Sequence, residues 1–358
     1  MFAARRAGAA TPEEKNKTLF FTMSMRPAGA RPAQLPASRD WTRPPRERYA
    51  PKMKPSATAN AAPIIADRPE VMRTSGWDDY ALLDSGHGRK LERYGAWTVV
   101  RPEGQCLWTP GRPAEAWNAA DAIFEPADEE DAGRWTLLSS VPALWPMTWA
   151  DVTFNARLTA FRHLAVFPEH AANWEWITAR IRAAKPEFRM LNLFGYTGLA
   201  SLAAAAAGAS VTHVDASKKA VGWARENAAL SGLEGAPIRW ICEDARKYVA
   251  REVRRGARYE GIVLDPPKYG RGPTGEVWRL YDDLPDLIAG CAALLSEDAG
   301  FLLLNGYSER MTGLALAGLL ADVMAGRGGR VDWGELALME ESGRCGAGLS
   351  FFARWSAT

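Results

Sequence analysis

Three short runs between residues 80 and 101 mix apolar, aromatic and charged side chains: 80–85, 90–94 and 97–101. Glycines at 86, 88 and 95 separate them, the spacing of strands joined by tight turns. Further strands are expected at 135–139 and 152–158, so a small β-rich unit is predicted over residues 76–160. From Phe161 the pattern alternates between helical and strand periods. Helices are predicted at 170–184, 199–207, 218–231, 247–254 and 284–295. Strands are predicted at 189–193, 210–214, 238–242, 261–264 and 301–304, with a closing hairpin from 334–339 and 349–355. That order implies an α/β fold, an open, doubly wound, Rossmann-like sheet over residues 161–358. Ligands of such sheets sit at the carboxyl ends of the strands, where the strand order reverses.

Residues 1–75 show no such periodicity. The first 60 hold 12 Lys and Arg, 4 Asp and Glu, and 8 of the 23 prolines. Their net charge of +8, against +2 for the whole chain, leaves −6 on the remainder. A stretch of this composition cannot bury enough surface to offset its ordering entropy, and a disordered basic tail is expected. It could bind RNA phosphates with salt-sensitive affinity, or be an upstream extension that the folded part does not need. Methionines at 23, 25, 53 and 72 would allow later starts.

Composition narrows the class further. An apolar content of 47% over 358 residues is ample for a large core. The β-rich unit carries tryptophans at 97, 108, 117, 135, 145 and 149, which could stack on bases or fill the core, and the core is the expectation. Cys106, Cys242, Cys291 and Cys345 form no CxxC pair, which argues against a zinc site or a disulfide framework and for a reducing, cytoplasmic compartment. Cys242 and Cys291 read as small buried hydrophobes. No apolar run is long enough to span a bilayer.

The chemistry gathers at the predicted strand ends. The first core strand runs into Asn192-Leu193-Phe194-Gly195-Tyr196-Thr197-Gly198 and then a helix. Glycines at 195 and 198 let backbone approach a ligand without an intervening Cβ, as an adenosyl cofactor needs. The G-x-G-x-x-G of a dinucleotide site is absent. Asp215 ends the second strand, where it could accept from ribose hydroxyls or cap the next helix. Asp244, after the third strand, could accept from an adenine amino group or cap a helix. The fourth strand ends in Asp265-Pro266-Pro267-Lys268-Tyr269. Two prolines cannot continue a ladder, and they hold the Asp265 carboxylate and the Pro266 carbonyl projecting from the strand end. A planar amine or base edge could bond there while Tyr269 stacks on its face. Lys268 could meet a phosphate or be solvated. Asn305 could contact substrate or be a polar strand terminus. His170 could reach the cofactor or pack against Trp174.

With these residues in place, the chain resembles the class I S-adenosylmethionine-dependent methyltransferases related to bacterial large-subunit (23S) rRNA methyltransferases. Their signature reads N-L-F-x-Y-T-G, an acidic strand end, then D-P-P-x-F/Y. Residues 192–198, Asp215, Ala224-Arg225-Glu226-Asn227, Asp244 and 265–269 match in order, as does Val166-Phe167-Pro168-Glu169-His170 before the first core strand. The likeness spans roughly residues 80–356. It implies S-adenosylmethionine as cofactor and RNA as substrate. It further implies that Asn192, Phe194, Gly195, Tyr196, Thr197 and Gly198 cradle the cofactor, with His170, Asp215 and Asp244 completing its site. Asp265, Pro266 and Tyr269 would do the chemistry, with Lys268 and Asn305 on the substrate side.

One departure is informative. Members that methylate carbon 5 of cytosine carry a cysteine after the fifth core strand, and here that stretch reads Leu303-Leu304-Asn305-Gly306-Tyr307-Ser308. A covalent mechanism needs a thiolate in reach of the base. Transfer to a ring or exocyclic nitrogen is therefore expected. The alternatives are a methyltransferase acting on a protein or small molecule, and a non-catalytic RNA-binding protein on the same scaffold.

Overall fold

In the computed structural model, residues 62–127, 132–307 and 311–357 are described. The proposed tail falls largely on residues 1–61, outside the described residues. Its last part is not tail. Ile64–Ile65 (β1) and Glu70–Arg73 (β2) are strands of the main sheet. Both are short and mostly exposed, so neither shows the alternation that would mark it in the sequence.

A mixed β unit follows, antiparallel except where β6 pairs parallel with β5 across a short helix: Tyr80–Gly86 (β3), Arg89–Tyr94 (β4) and Trp97–Pro102 (β5), then the helix Ala114–Asn118 (α1), Ala122–Pro126 (β6) and Gly133–Leu137 (β7). β3 to β7 pair in chain order as a five-stranded sheet, and Leu144–Trp149 (β8) and Val152–Arg157 (β9) form a separate hairpin. The tryptophans are structural here. Trp117, Trp145 and Trp149 are buried, and Trp97, Trp108 and Trp135 are half-buried. Trp145 donates its indole N–H to the Tyr94 carbonyl at 3.0 Å, and Trp117 donates to Asp84 at 2.9 Å.

The α/β region runs Ala171–Ala183 (α2), Arg189–Leu193 (β10), Leu199–Ala206 (α3), Ser210–Asp215 (β11), Lys218–Leu230 (α4), Ile238–Cys242 (β12), Ala245–Arg255 (α5) and Gly261–Leu264 (β13). It continues with Tyr269–Arg271 (β14), Val277–Arg279 (β15), Leu280–Leu294 (α6), Phe301–Gly306 (β16), Gly313–Val323 (α7), Arg330–Met339 (β17) and Gly346–Ser356 (β18). The main sheet is ordered β1-β17-β18-β16-β13-β10-β11-β12, with β2 also on β17. β12, β11, β10, β13 and β16 are mutually parallel, and β18 returns antiparallel. The chain leaves β10 toward β11 and later comes back to β13 on its other side. The strand order therefore reverses at β10, and the carboxyl end of β10 is the switch point.

Period-two alternation sends the two faces of the central strands to different helices. Leu302 and Leu304 of β16 pack with Tyr248 of α5, Leu287 of α6 and Leu320 of α7. Phe301 and Leu303 pack with Ile177 and Ile181 of α2. The β-rich unit is welded to this body, because Trp77, Tyr94, Trp145 and Phe154 share one apolar cluster with Trp174 of α2, Leu202 of α3 and Ala228 of α4.

Helix starts differ from expectation where side chains cap them. α5 begins at Ala245 because Asp244 caps it, and α6 begins four residues before the predicted start, with Asp283 accepting from the Arg279 N–H at 2.7 Å. Cys242 is exposed at the end of β12 rather than buried, because the carboxyl end of that edge strand faces solvent; Cys291 is buried as expected. No helix among the described residues is long and apolar enough to cross a membrane.

Candidate functional site

The turn after β10 is built on unusual backbone. Phe194 (φ 58°) and Tyr196 (φ 47°) both adopt left-handed conformations that non-glycine residues rarely take. Such strain is characteristic of functional loops. Several bonds hold it. Gly195 N–H donates to the Val214 carbonyl at 3.1 Å, the Thr197 hydroxyl to the Ala165 carbonyl at 2.8 Å, and Asn227 Nδ2 to the Thr197 carbonyl at 3.0 Å. Asn227 also accepts from the Asn155 N–H of β9, so the match at 224–227 joins the loop to the β-rich unit.

Gly195 is required by space rather than by φ. A Cβ there would lie 2.4 Å from His213 Cε1. His213 is fully buried and linked through Nδ1 to Ser201 Oγ at 3.0 Å, which in turn accepts from Asn192 Nδ2 at 2.9 Å. Burial pushes the His213 pKa down to about 3, so its ring is neutral. Gly198 (φ 88°) opens α3, and a Cβ there would press on Ala224 at 2.9 Å.

The two acidic strand ends are both engaged. Asp215 Oδ2 accepts from the Tyr196 N–H at 2.9 Å and Oδ1 from the Ser217 N–H at 2.8 Å. Ser217, not Asp215, caps α4. Asp215 thus braces the strained loop, and burial raises its pKa. Asp244 caps α5 through the Arg246 and Lys247 N–H groups and pairs with the Arg246 guanidinium at 2.9 Å.

Beyond β13 the prolines are clamped. Trp278 of β15 donates to the Pro267 carbonyl at 2.6 Å, and its ring lies 5.0 Å from that of Phe194. Pro266 is buried, whereas Lys268 and Tyr269 are exposed, Tyr269 at 51% on the hairpin β14–β15. Asp265 keeps 26% of its side chain exposed, yet its Oδ1 is buried without a hydrogen-bond partner. Burial raises the Asp265 pKa, and His170, whose Nε2 is 3.8 Å from Oδ2, and the Asn305 amide beside the carboxylate oppose that rise.

His170 closes the 3-10 turn before α2. Its Nε2 contacts the Tyr307 hydroxyl, and its Nδ1 lies 3.3 Å from Asn305 Nδ2. The ring thus faces the end of β16. Asn173 Nδ2 donates to Asn305 Oδ1 at 2.9 Å.

A cleft of about 520 Å³, counting space open to solvent, lies over these strand ends. Of the expected site residues, His170, Asn192, the 194–197 loop, Asp265 and Asn305 line it. Gly198, Asp215, Asp244, Pro266, Lys268 and Tyr269 stand outside the lining. Phe167, from the matched stretch 166–170, also lines the cleft, whereas Asn173 in the lining and Tyr307 beside His170 were not foreseen. Asn173 sits three residues after His170 on one helix face, and Tyr307 two residues after Asn305 on one side of a strand end; those spacings were the available signals. The orphaned buried atoms on the cleft wall, Asn173 Oδ1 and Asp265 Oδ1, are both acceptors. Such a wall fits ligands that bring N–H donors or positive charge. None of the four cysteines lines this cleft.

Comparison with known proteins identifies the family. A family model described as S-adenosylmethionine-dependent methyltransferase matches residues 128–300. An S-adenosylmethionine-dependent methyltransferase from Agrobacterium tumefaciens is 47% identical in its crystal structure, superposing with a TM-score of 0.80 over 84% of this chain and 97% of that one. A Streptococcus mutans methyltransferase, 17% identical, covers 78% of this chain and 76% of its own at a TM-score of 0.61, a likeness of fold. The ribosomal RNA large subunit methyltransferase K/L of Shewanella frigidimarina is 32% identical over 154 residues, which are 42% of this chain. That of Shewanella sp. strain ANA-3 is 36% identical over 156 residues, again 42% of this chain. The match spans 21% of the length of these two relatives.

Proposed function

The chain belongs to the S-adenosylmethionine-dependent methyltransferases, and on that premise we propose that it methylates a ring or exocyclic nitrogen of ribosomal RNA by direct in-line transfer in the cytoplasm. The observation that carries this reading is Asp265, whose buried, unpartnered Oδ1 opens on the cofactor cleft beside a clamped pair of prolines. The curated K/L relatives act, by name, on large-subunit ribosomal RNA, which supports RNA as the acceptor.

In this reading Asn192, Phe194, Gly195, Tyr196, Thr197 and Gly198 shape the cofactor cradle. Asp215 serves the ribose while fixing the loop, Asp244 the adenine edge, and His170 stands at the cleft wall. Bound S-adenosylmethionine supplies an electrophilic methyl group on a sulfonium. What remains for the protein is alignment, which can lower the barrier by several kcal/mol when the reacting atoms are held in line. Asp265 and the Pro266 carbonyl hold the accepting N–H, Tyr269 stacks on the base as it enters, and Lys268 and Asn305 contact substrate. The β-rich unit over residues 76–160 forms the substrate side, and residues 161–358 form the catalytic domain.

Incubation of the pure protein with methyl-labelled cofactor and separated RNA, protein and metabolite pools tests the acceptor. Label is expected in RNA. The net charge of −6 outside the first 60 residues favours the alternative of a protein or small-molecule acceptor, and label confined to those pools would establish it in place of RNA. The cofactor cradle has its own test in calorimetry with S-adenosylhomocysteine. Asp215→Ala removes a carboxylate that accepts two backbone N–H groups, and should weaken binding by about 1.5–3 kcal/mol. Unchanged affinity would remove Asp215 from the site.

A further inference from the structure

Side chains from three elements form a one-way hydrogen-bond chain behind Asp265. Asn173 of α2 donates through Nδ2 to Asn305 Oδ1. With its oxygen taken, Asn305 turns its amide nitrogen toward His170 Nδ1. Nδ1 therefore accepts, and the imidazole carries its proton on Nε2. That single N–H faces two oxygens. One is the hydroxyl of Tyr307, in hydrogen-bond contact. The other is Asp265 Oδ2, at 3.8 Å and beyond hydrogen-bond reach. Tyr307 and Asp265 compete for one proton.

We infer that Tyr307 is a positioning residue for Asp265: by taking the His170 N–H it keeps that proton off the carboxylate, which stays free to accept from the nitrogen being methylated. This rests on the reading above that Asp265 orients the acceptor. The phenol is well placed to act so. Its ring lies 5.6 Å from that of His170 and 6.1 Å from that of Phe167. Burial, with the charges of Asp265 and Glu169, holds its hydroxyl well above its ordinary pKa, so it meets the imidazole as a neutral acceptor. The groups facing Asp265 are His170 and Glu169 from the turn before α2, and Asn305 and Tyr307 at the end of β16.

The test is the titration of Asp265, followed by carbon NMR in protein labelled at its aspartate carboxyls and assigned with Asp265→Asn. The cofactor-free protein is used, because His170 itself lines the cofactor cleft, and circular dichroism with a cooperative thermal transition certifies each variant as folded. In Tyr307→Phe the freed N–H turns to Oδ2, and the Asp265 titration should fall by about half a pH unit or more. Adding His170→Leu removes the competing donor and should return the titration to its wild-type position or above. A tyrosine of purely structural importance would leave the shift in place. Turnover on RNA should fall on the order of ten- to a hundredfold in Tyr307→Phe, with KM for the cofactor unchanged. A titration that does not move in Tyr307→Phe, or that His170→Leu fails to reverse, overturns the inference. Wild-type protein that transfers no methyl group to RNA overturns the RNA reading instead, and the titration alone then decides the role of Tyr307.

Discussion

Asp265→Asn is expected to slow methyl transfer on the order of 10²–10⁴-fold while leaving S-adenosylhomocysteine affinity within about twofold, on the premise that the residue acts on the acceptor. The amide is nearly the same size, so the clamp from Trp278 to the Pro267 carbonyl persists. What changes is the chemistry of the orphaned atom. A carboxylate accepts through both oxygens, whereas an amide offers N–H groups on one side and repels the N–H it should receive. Single-turnover rates with and without the substitution, beside calorimetry on the same samples, separate the two effects. Transfer at the wild-type rate would remove Asp265 from the chemistry, and lost cofactor binding would place it in the cradle.

The same residue couples activity to stability with opposite signs. Burial raises its pKa above the ordinary 3.8, so between those two values the folded state holds a proton that the unfolded chain has released. Stability contributed by this group is therefore present at low pH and falls as pH rises through that window. Activity that needs the carboxylate runs the other way, and is lost as pH falls through the raised value. Asp265→Asn should accordingly be more heat-stable than wild type at neutral pH, as expected where a buried charge is kept for function.

The central strands were legible because parallel strands covered on both faces read as short apolar runs. Arg189–Leu193 and Gly261–Leu264 fall where the pattern places them. What the pattern missed depends on partners distant in sequence. β1 and β2 exist because β17 offers an open edge, and Gly334 lets β2 approach, since a Cβ there would lie 1.8 Å from the Glu70 carbonyl oxygen. Arg354 then pairs with Glu70 at 2.8 Å across 284 residues of chain, a contact no local window contains. The site divides in the same way. The 192–198 loop and Asp265 announce themselves through glycine and proline, whose backbone demands are local. Tyr307 does not, because its role depends on a histidine 137 residues earlier and on which oxygen that histidine's proton meets.

Gly195→Ala is expected to weaken S-adenosylhomocysteine binding by roughly 30- to 150-fold, about 2–3 kcal/mol, and to lower Tm. The backbone at 195 would accept alanine, since its φ is not in the left-handed region. The obstacle is His213. Its Cε1 and Nδ1 would lie 2.4 and 2.5 Å from the new methyl group, and Asn192 Nδ2 would lie 3.1 Å away. The ring cannot withdraw, because Ser201 holds Nδ1 and the Trp240 ring centroid stands 4.9 Å from its own. The loop must move instead, which breaks the Tyr196 N–H bond to Asp215 and distorts the cradle. Gly222→Ala makes the control: it lies inside α4 with nothing within 4 Å of the added Cβ. It should leave cofactor affinity unchanged and stabilise the helix by about 0.5–1 kcal/mol. A second substitution, His213→Ala, opens the missing space in the Gly195→Ala background. If steric exclusion by His213 is the cause, that double variant recovers part of the lost affinity. If affinity stays equally low, the loop has failed for a reason other than the histidine behind it.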